Sequence, residues 1–363
     1  MPVYNGEQYL KESIESILSQ TFQDWELWLV NDCSTDSSPQ IMEEYTKRDP
    51  RVHMLSNLEN QKLPRTLNIG FRHAGGEYLT WTSDDNRYKE SAIERMVQAL
   101  EENPSYGMAY SSMEYLQEDG ITLTPPTVDL SRICVEDPIG ACFLYRREIL
   151  ETVGEYDPDM FLVEDYDYWL RIYKKHKILH IPETLYQYRY HKNSLSMTRE
   201  REVAAQRHRL RLRELDFLLE RAEEREKEIL FLDMWSYSSD TWQLRSRFFP
   251  GGVLPERLKW MERLASSGNV AGQDKPLILF GAGNYGRRAL KFYGSERIRY
   301  FVDNNPSLQG TMVEGVLVIP FEELLELYQE NKIVLTVGSR TAIQLVRQLE
   351  EAGIQDFALY CGE

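Results

Sequence analysis

Over the first 195 residues, short apolar runs alternate with stretches whose apolar positions recur at helical spacing. Tyr9, Ile14, Ile17 and Leu18 fall on one helical face, and Trp25 to Val30 reads as a strand that ends at Asn31-Asp32. Ile41, Met42 and Tyr45 begin a second helix, and Val52 to Leu55 is a short strand. Leu67, Ile69 and Phe71 with Ala74 predict a helix that stops at Gly75-Gly76, before a strand from Tyr78 to Trp81 that ends at Ser83-Asp84-Asp85. Strand and helix in alternation predict an α/β fold with a mostly parallel sheet, in which ligands gather beyond the carboxyl ends of the strands. Asp32 and the Asp84-Asp85 pair both fall at such ends.

The pattern changes at Arg199. From there to Phe249 neither glycine nor proline occurs, and Val203, Leu210 and Phe217 are spaced seven apart among many Arg and Glu, which predicts one or two long helices. The charges read most simply as a solvated face, with a dimer-forming coil, and so a homodimer, as the alternative. Pro250-Gly251-Gly252 breaks the pattern, and Gly268 to Asp274 reads as a linker. A second α/β unit starts near Lys275, with strands at Pro276–Phe280, Ile298–Val302, Ile333–Val337 and Phe357–Tyr360. The organisation expected is a first domain over 1–197, a helical connector and linker over 198–273, and a small Rossmann-like domain over 274–363.

Composition narrows the function classes. The chain of 363 residues is 42% hydrophobic and 12% aromatic, enough to bury cores. Its net charge of -16 argues against nucleic acid and anionic membranes as partners, because phosphates would be repelled. A nucleotide substrate remains compatible, since a bound divalent cation reverses the local field. Cys33, Cys134, Cys142 and Cys361 fit no zinc or disulfide spacing, which suits a reducing, cytoplasmic setting. No stretch approaches the ~20 apolar residues of a membrane span, so a lipid-linked acceptor would be met from the water side, at most peripherally at the inner membrane face.

Three acidic sites stand out. Asp84-Asp85 offers the carboxylate oxygens that Mg2+ and Mn2+ prefer, though an acidic pair is also a common turn. Asp32 suits hydrogen bonding to a nucleobase, or equally a helix cap in the run Asp32-Cys33-Ser34-Thr35-Asp36. Glu164, Asp165 and Asp167 lie among large apolar residues from Phe161 to Arg171. A sheltered carboxylate there would have a raised pKa and serve as a base, while the alternative is the acidic first turn of an amphipathic helix. His191 is ambiguous by itself.

Taken in order, Pro2-Val3-Tyr4-Asn5-Gly6-Glu7, the run from Gln20 through Asn31-Asp32-Cys33-Ser34-Thr35-Asp36, and Gly76 through Ser83-Asp84-Asp85-Asn86 resemble family 2 glycosyltransferases of the GT-A fold, spore-coat polysaccharide type, over roughly 1–197. The resemblance implies inverting transfer, by single displacement, of a sugar from a nucleotide-diphosphate donor to a saccharide or lipid-linked acceptor hydroxyl. It implies Mg2+ or Mn2+ as cofactor and a place in bacterial surface polysaccharide synthesis. It assigns the segment Pro2, Val3, Tyr4, Asn5 and Glu7 to the donor site, Asp32 to the nucleobase, Asp84 to ribose and Asp85 to the metal. Lys62 or Arg65 would meet the pyrophosphate, and Ile139-Gly140-Ala141-Cys142-Phe143 resembles the glycine loop near donor and acceptor. Glu164-Asp165 resembles the acidic motif, with Asp165 as catalytic base, and His191 a late histidine that reaches the metal.

Two features depart from that pattern. Ser83 stands where an acid is common, and the apolar strand that normally precedes Pro2-Val3-Tyr4-Asn5 is missing, so an N-terminally truncated chain is expected. In the second unit Gly281, Gly283 and Gly286 follow a strand in GxGxxG spacing, with Asp303 at the end of the next strand, a fingerprint for a nucleotide or sugar-nucleotide. It leaves a nucleotide-dependent oxidoreductase or epimerase as the rival reading, beside a non-catalytic sugar-nucleotide binding protein.

Overall fold

The computed structural model describes all residues except 118–119, 121, 126–127, 192–193, 236, 239, 267–274 and 361–363, so the expected linker and Cys361 lie outside the described residues. It divides into two compact units, 1–221 and 222–363.

In the first unit the chain runs β1 (Pro2–Val3), α1 (Leu10–Leu18), β2 (Leu27–Asn31), α2 (Ser38–Arg48), β3 (Val52–Ser56) and α3 (Leu63–His73). It continues through β4 (Tyr78–Leu79), β5 (Arg87–Tyr88), α4 (Ala92–Glu102), β6 (Tyr106–Leu116), β7 (Thr122–Leu123) and β8 (Phe143–Arg146). Next come α5 (Arg147–Val153), α6 (Glu164–Tyr173), β9 (Lys177–Arg189), α7 (Leu195–Thr198), α8 (Glu200–Arg213) and α9 (Leu215–Arg221). Strands β1, β2 and β3 form one parallel sheet in that order. A second sheet runs β4-β8-β6-β9-β5, with β7 beside β6. Its pairs are antiparallel except β6 with β9. The expectation of a mostly parallel sheet is thus met only up to β3. Alternating apolar runs show that strands exist but not their direction, and β6 and β9, of 11 and 13 residues, set the second sheet.

The apolar faces read from the sequence pack inward. Leu10, Ile14, Leu29, Met42, Met96, Leu100 and Ala109 are buried in one core. Phe143, Tyr145, Tyr156, Tyr168 and Trp169 are buried together beside it, Tyr156 stacked on Tyr168 with centroids 4.1 Å apart.

In the second unit follow α10 (Glu224–Trp235), α11 (Thr241–Phe248), α12 (Trp260–Ser266), β10 (Leu277–Phe280), α13 (Asn284–Tyr293), β11 (Ile298–Val302) and β12 (Met312–Val313). The chain ends with β13 (Val316–Ile319), α14 (Phe321–Leu327), β14 (Lys332–Leu335), α15 (Ser339–Glu351) and β15 (Phe357–Leu359). The sheet order is β12-β13-β11-β10-β14-β15, parallel except for the edge pair β12-β13. Leu277, Ile278, Leu279 and Phe280 are all buried, as a strand covered on both faces requires.

The glycine-free stretch from Arg199 forms several helices, not one or two long ones. Leu210, Leu215 and Leu218 are all buried. On a continuous helix, five residues turn through about 140° beyond a full circle, so Leu210 and Leu215 cannot share a face. The chain breaks at Glu214 to bury both.

Candidate active site

The loops that follow β1 and β2 are zipped together by their own polar side chains. Asn5 Oδ1 accepts the Thr35 N–H at 2.8 Å and Glu7 Oε2 accepts the Ser37 N–H at 2.9 Å. In return Ser38 Oγ accepts the Gly6 N–H and Asp36 Oδ2 the Glu7 N–H. Polar residues therefore recur in Pro2-Val3-Tyr4-Asn5-Gly6-Glu7 because they hold two strand ends side by side. The Tyr4 N–H reaches Asp84 Oδ2 at 3.2 Å, so the third strand-end loop joins them. A Cβ on Gly6 would stand 2.3 Å from that same oxygen, which is why the position carries glycine.

Asp32 is buried at the end of β2 and does not cap α2. Its Oδ1 accepts from Asn57 Nδ2 at 2.8 Å and the Gln61 N–H at 2.7 Å, and its Oδ2 accepts the Lys62 N–H at 3.1 Å. The carboxylate thus shapes the loop before α3, where Lys62 sits at φ 68 with its side chain exposed. Arg65 is likewise exposed, in the first turn of α3.

Asp84 and Asp85 diverge, as neighbours at a strand end should. Burial, reinforced by Asp85, pushes the Asp84 carboxyl up to about 7. Asp85 Oδ2 lies 3.0 Å from His191 Nε2, though the two residues are 106 positions apart. Arg189, at the end of β9, donates to the Asp85 carbonyl at 2.9 Å and to Glu12 at 2.7 Å, which fixes the approach of the chain carrying His191. Asp85 Oδ1 is buried with no hydrogen-bond partner. A buried carboxylate oxygen without a donor is costly unless something else satisfies it. An oxygen-preferring cation held by Asp85 and His191, with substrate phosphates completing its shell, fits this arrangement. Among the described residues no three of His, Cys, Asp and Glu converge as a ready-made cage.

Asp165 and Glu164 open α6. Asp165 Oδ1 accepts the Tyr166 N–H at 2.7 Å, and Glu164 Oε2 the Leu162 N–H at 2.8 Å. Burial drives both carboxyls upward, Glu164 to about 8, with Asp165 its next largest cause. A third member, Asp137, is marked by no spacing in the chain; its carboxyl is raised by burial and by Asp165. Asp137 Oδ1 accepts the Ile139 N–H at 3.0 Å, which tucks it under the glycine loop at Gly140, where φ is 66. Arg207 on α8 supplies the opposing positive charge to Asp137 and Asp165. Asp167, in contrast, is turned away into ion pairs with Arg171 and Arg213.

In the second unit the glycine loop leaves β10 between β11 and β14, where the connections diverge to either side. Gly281 has φ 117, and a Cβ there would meet the Thr336 carbonyl at 2.7 Å. One on Gly286 would stand 2.0 Å from the Gly281 carbonyl, whereas the space at Gly283 is open. Asp303 Oδ2 accepts the Ala282 N–H at 2.9 Å and its Oδ1 the Asn305 N–H, so the carboxylate braces the loop.

The family model Glycosyl transferase family 2 matches residues 1–154. The uncharacterized glycosyltransferase EpsJ of Bacillus subtilis is 28% identical over 213 residues, 54% of this chain and 61% of that protein. The chain thus spans about three fifths of EpsJ's length. TuaG of the same organism, a glycosyltransferase named for teichuronic acid biosynthesis, is 26% identical over 54% of this chain and 79% of its own. Among solved structures, the mannosyltransferase PcManGT from Pyrobaculum calidifontis, in complex with GDP-Man and Mn2+, superposes with a TM-score of 0.51 at 16% identity, covering 74% of each chain. The first unit therefore has the GT-A fold, and residues 1–154 match the family 2 glycosyl transferase model.

Proposed function

We propose that this chain is an inverting, metal-dependent glycosyltransferase that moves a sugar from a nucleotide-diphosphate donor onto an acceptor hydroxyl, in the synthesis of a bacterial surface polysaccharide. The observation that carries this reading is the meeting of Asp85 and His191 beside Asp84, with one buried Asp85 oxygen unpaired. Asp85 and His191 would hold Mg2+ or Mn2+, which would supply charge stabilisation to the leaving nucleoside diphosphate. Asp84 accepts from the ribose. Asp32 positions the 57–62 loop against the nucleobase, and Lys62 reaches the pyrophosphate. Asp165 takes the proton of the acceptor hydroxyl as its oxygen bonds to the anomeric carbon and the bond to the phosphate breaks on the opposite side. Burial raises the carboxyls of Glu164, Asp137 and Asp165 together, so the three share fewer than three charges, and Asp165 is the member assigned to accept the proton. The name of TuaG supports a polysaccharide product, and the Mn2+ of the mannosyltransferase supports the metal.

In the second unit, the open space at Gly283 before α13 supports a nucleotide or sugar-nucleotide bound through backbone N–H groups in a Rossmann-like domain. The test of the main reading is incubation with a panel of nucleotide sugars, saccharide acceptors and Mn2+, with free nucleoside diphosphate and glycosylated product measured. No release and no product with any donor would leave the non-catalytic binding reading.

A further inference from the structure

The helix α8, Glu200–Arg213, is tied down at both ends around the acidic cluster that opens α6. At its start Arg199 lies over the Phe161 ring, 5.7 Å from the centroid, in the segment that leads into α6. At its end the buried Arg211 donates to the Val135 carbonyl, and Arg213 pairs with Asp157 at 2.9 Å and with Asp167 of α6. Tyr166 of α6 donates to the Ile133 carbonyl at 2.7 Å, so the segment that runs on to Asp137 is gripped by both helices. α8 lies outside residues 1–154, the stretch that matches the family model.

Between the two ties stands Arg207. It comes four residues before Arg211, a spacing that puts both on one face of the helix, one turn apart. The face that meets Val135 therefore also carries Arg207, toward Asp137 two residues further along the gripped segment. Arg207 is exposed, and Asp137 and Asp165 are half-buried, so the pairing meets solvent and is weaker than a buried one. Its charge draws the Asp137 and Asp165 carboxyls down against the burial that raises them. The other groups that bear on Asp165 are Glu164 and Asp167 on α6, Asp137 and the Tyr156 hydroxyl. Asp167 is balanced by Arg171 and Arg213, and Arg211 is directed at Tyr166 and Val135. Among the described residues, that leaves Arg207 to offset the cluster.

We infer that α8 is a clasp on the acidic cluster and that Arg207 is a positioning residue, whose charge beside Asp137 and Asp165 keeps Asp165 in its ionised, proton-accepting form. The inference rests on the proposed transferase reading, in which Asp165 takes the acceptor's proton; a neutral carboxyl cannot do so. Arg207 need not touch donor or acceptor. It acts by biasing where the charge shared by the three carboxyls resides. Removing Arg207 raises the pH at which Asp165 ionises, so turnover falls at low pH and recovers at high pH. A purely structural role would lower turnover at every pH alike.

The test uses the whole chain with Arg207→Gln, Arg207→Lys and, as control, Arg209→Gln. Arg209 is exposed and lies about 200° around the helix from Arg207, so its loss removes the same charge from the opposite face. With Mn2+ and the donor and acceptor that give product with the parent chain, the acid limb of kcat/KM should move up by about one pH unit in Arg207→Gln. Below the limb that variant is then about tenfold slower than the parent. Arg207→Lys keeps the charge and should bring the limb back toward the parent's, and Arg209→Gln should leave it in place. Urea midpoints give a second reading that needs no turnover. Burial pushes the Asp137 carboxyl up to about 7, and both chains lose stability as pH rises through such raised carboxyls. Without Arg207 they are raised further, so the parent's advantage over Arg207→Gln should widen from about pH 5 to about pH 8. An unmoved acid limb in Arg207→Gln, or one moved equally by Arg209→Gln, would overturn the inference. So would a midpoint difference that stays constant with pH. A widening difference with no turnover in the parent would instead strike the transferase reading and leave the pairing standing.

Discussion

Asp85, Asp165 and Glu164 are each asked to do something different, and each can be questioned by one atom's change. Asp85→Asn keeps the shape of the side chain but weakens a carboxylate ligand. Affinity for a nucleoside diphosphate in the presence of Mn2+ should fall by more than about tenfold, since even partners outside the ligand shell have effects of that size. Calorimetry with and without EDTA checks this, and an unchanged Mn2+-dependent affinity would move the metal elsewhere. Asp165→Asn should leave donor binding near normal and cut turnover by ~100-fold or more, the scale of losing a general base. Full turnover would shift that role to Glu164 or Asp137. Glu164 makes a prediction about stability. Its carboxyl is raised from the usual 4.5 to about 8, so the folded chain holds a proton that the unfolded chain releases. The stability this contributes is fully present below about pH 4.5 and is lost as pH rises to about 8. Compared with Glu164→Gln, the parent chain should therefore lose stability between pH 5 and 8, as read by urea midpoints; parallel profiles would show that Glu164 is not held neutral. At this scale Asp84-Asp85 and Glu164-Asp165 were legible because adjacent acids at the end of an apolar run are visible in sequence. Asp137 was not. Its significance comes from burial beside Asp165, which depends on how the Gly140 loop folds back and on no spacing in the chain.

The elements place these residues through a few close approaches. Gly6 lets Asp84 come within contact of the first loop, and a Cβ there would stand 2.3 Å from Asp84 Oδ2. Gly6→Ala should cost about 1–3 kcal/mol, the usual range for overpacking, and should weaken donor binding by displacing Asp84. Denaturant unfolding together with nucleotide titration tests this, and a silent substitution would mean that Asp84 moves freely. The positions of β2, β3 and α1 to α3 were readable because each has a clear apolar period. The second sheet was not, since β6 pairs with both β8 and β9 across long stretches of sequence, and periodicity carries no pairing information. The strand expected from Tyr78 to Trp81 is paired only at Tyr78–Leu79, where β8 runs beside it. His191 could not be placed from its own neighbours; Arg189, paired to Glu12 and the Asp85 carbonyl, brings it to Asp85.

At the scale of the whole molecule, the proposed function asks a chain of net charge -16 to bind an anionic donor, and that needs a locally reversed field. On the proposed function, a divalent cation at Asp85 and His191 would supply it, which would tie donor affinity to metal. In the second unit, Gly283→Val fills the space before α13 that a phosphate would need, and it should weaken any nucleotide binding that survives loss of the first site in Asp85→Asn. Unaltered binding in that double variant would leave the glycine loop a bracing role alone. No helix among the described residues is long and apolar enough to cross a membrane. The most direct measurement of the central claim is release of nucleoside diphosphate and formation of glycosylated product, across a donor panel, by the parent chain with Mn2+, with EDTA, and by Asp165→Asn with Mn2+. The account predicts turnover only in the first, restored when Mn2+ is returned after EDTA, while Asp165→Asn still binds the donor. Turnover that survives both EDTA and Asp165→Asn would contradict it.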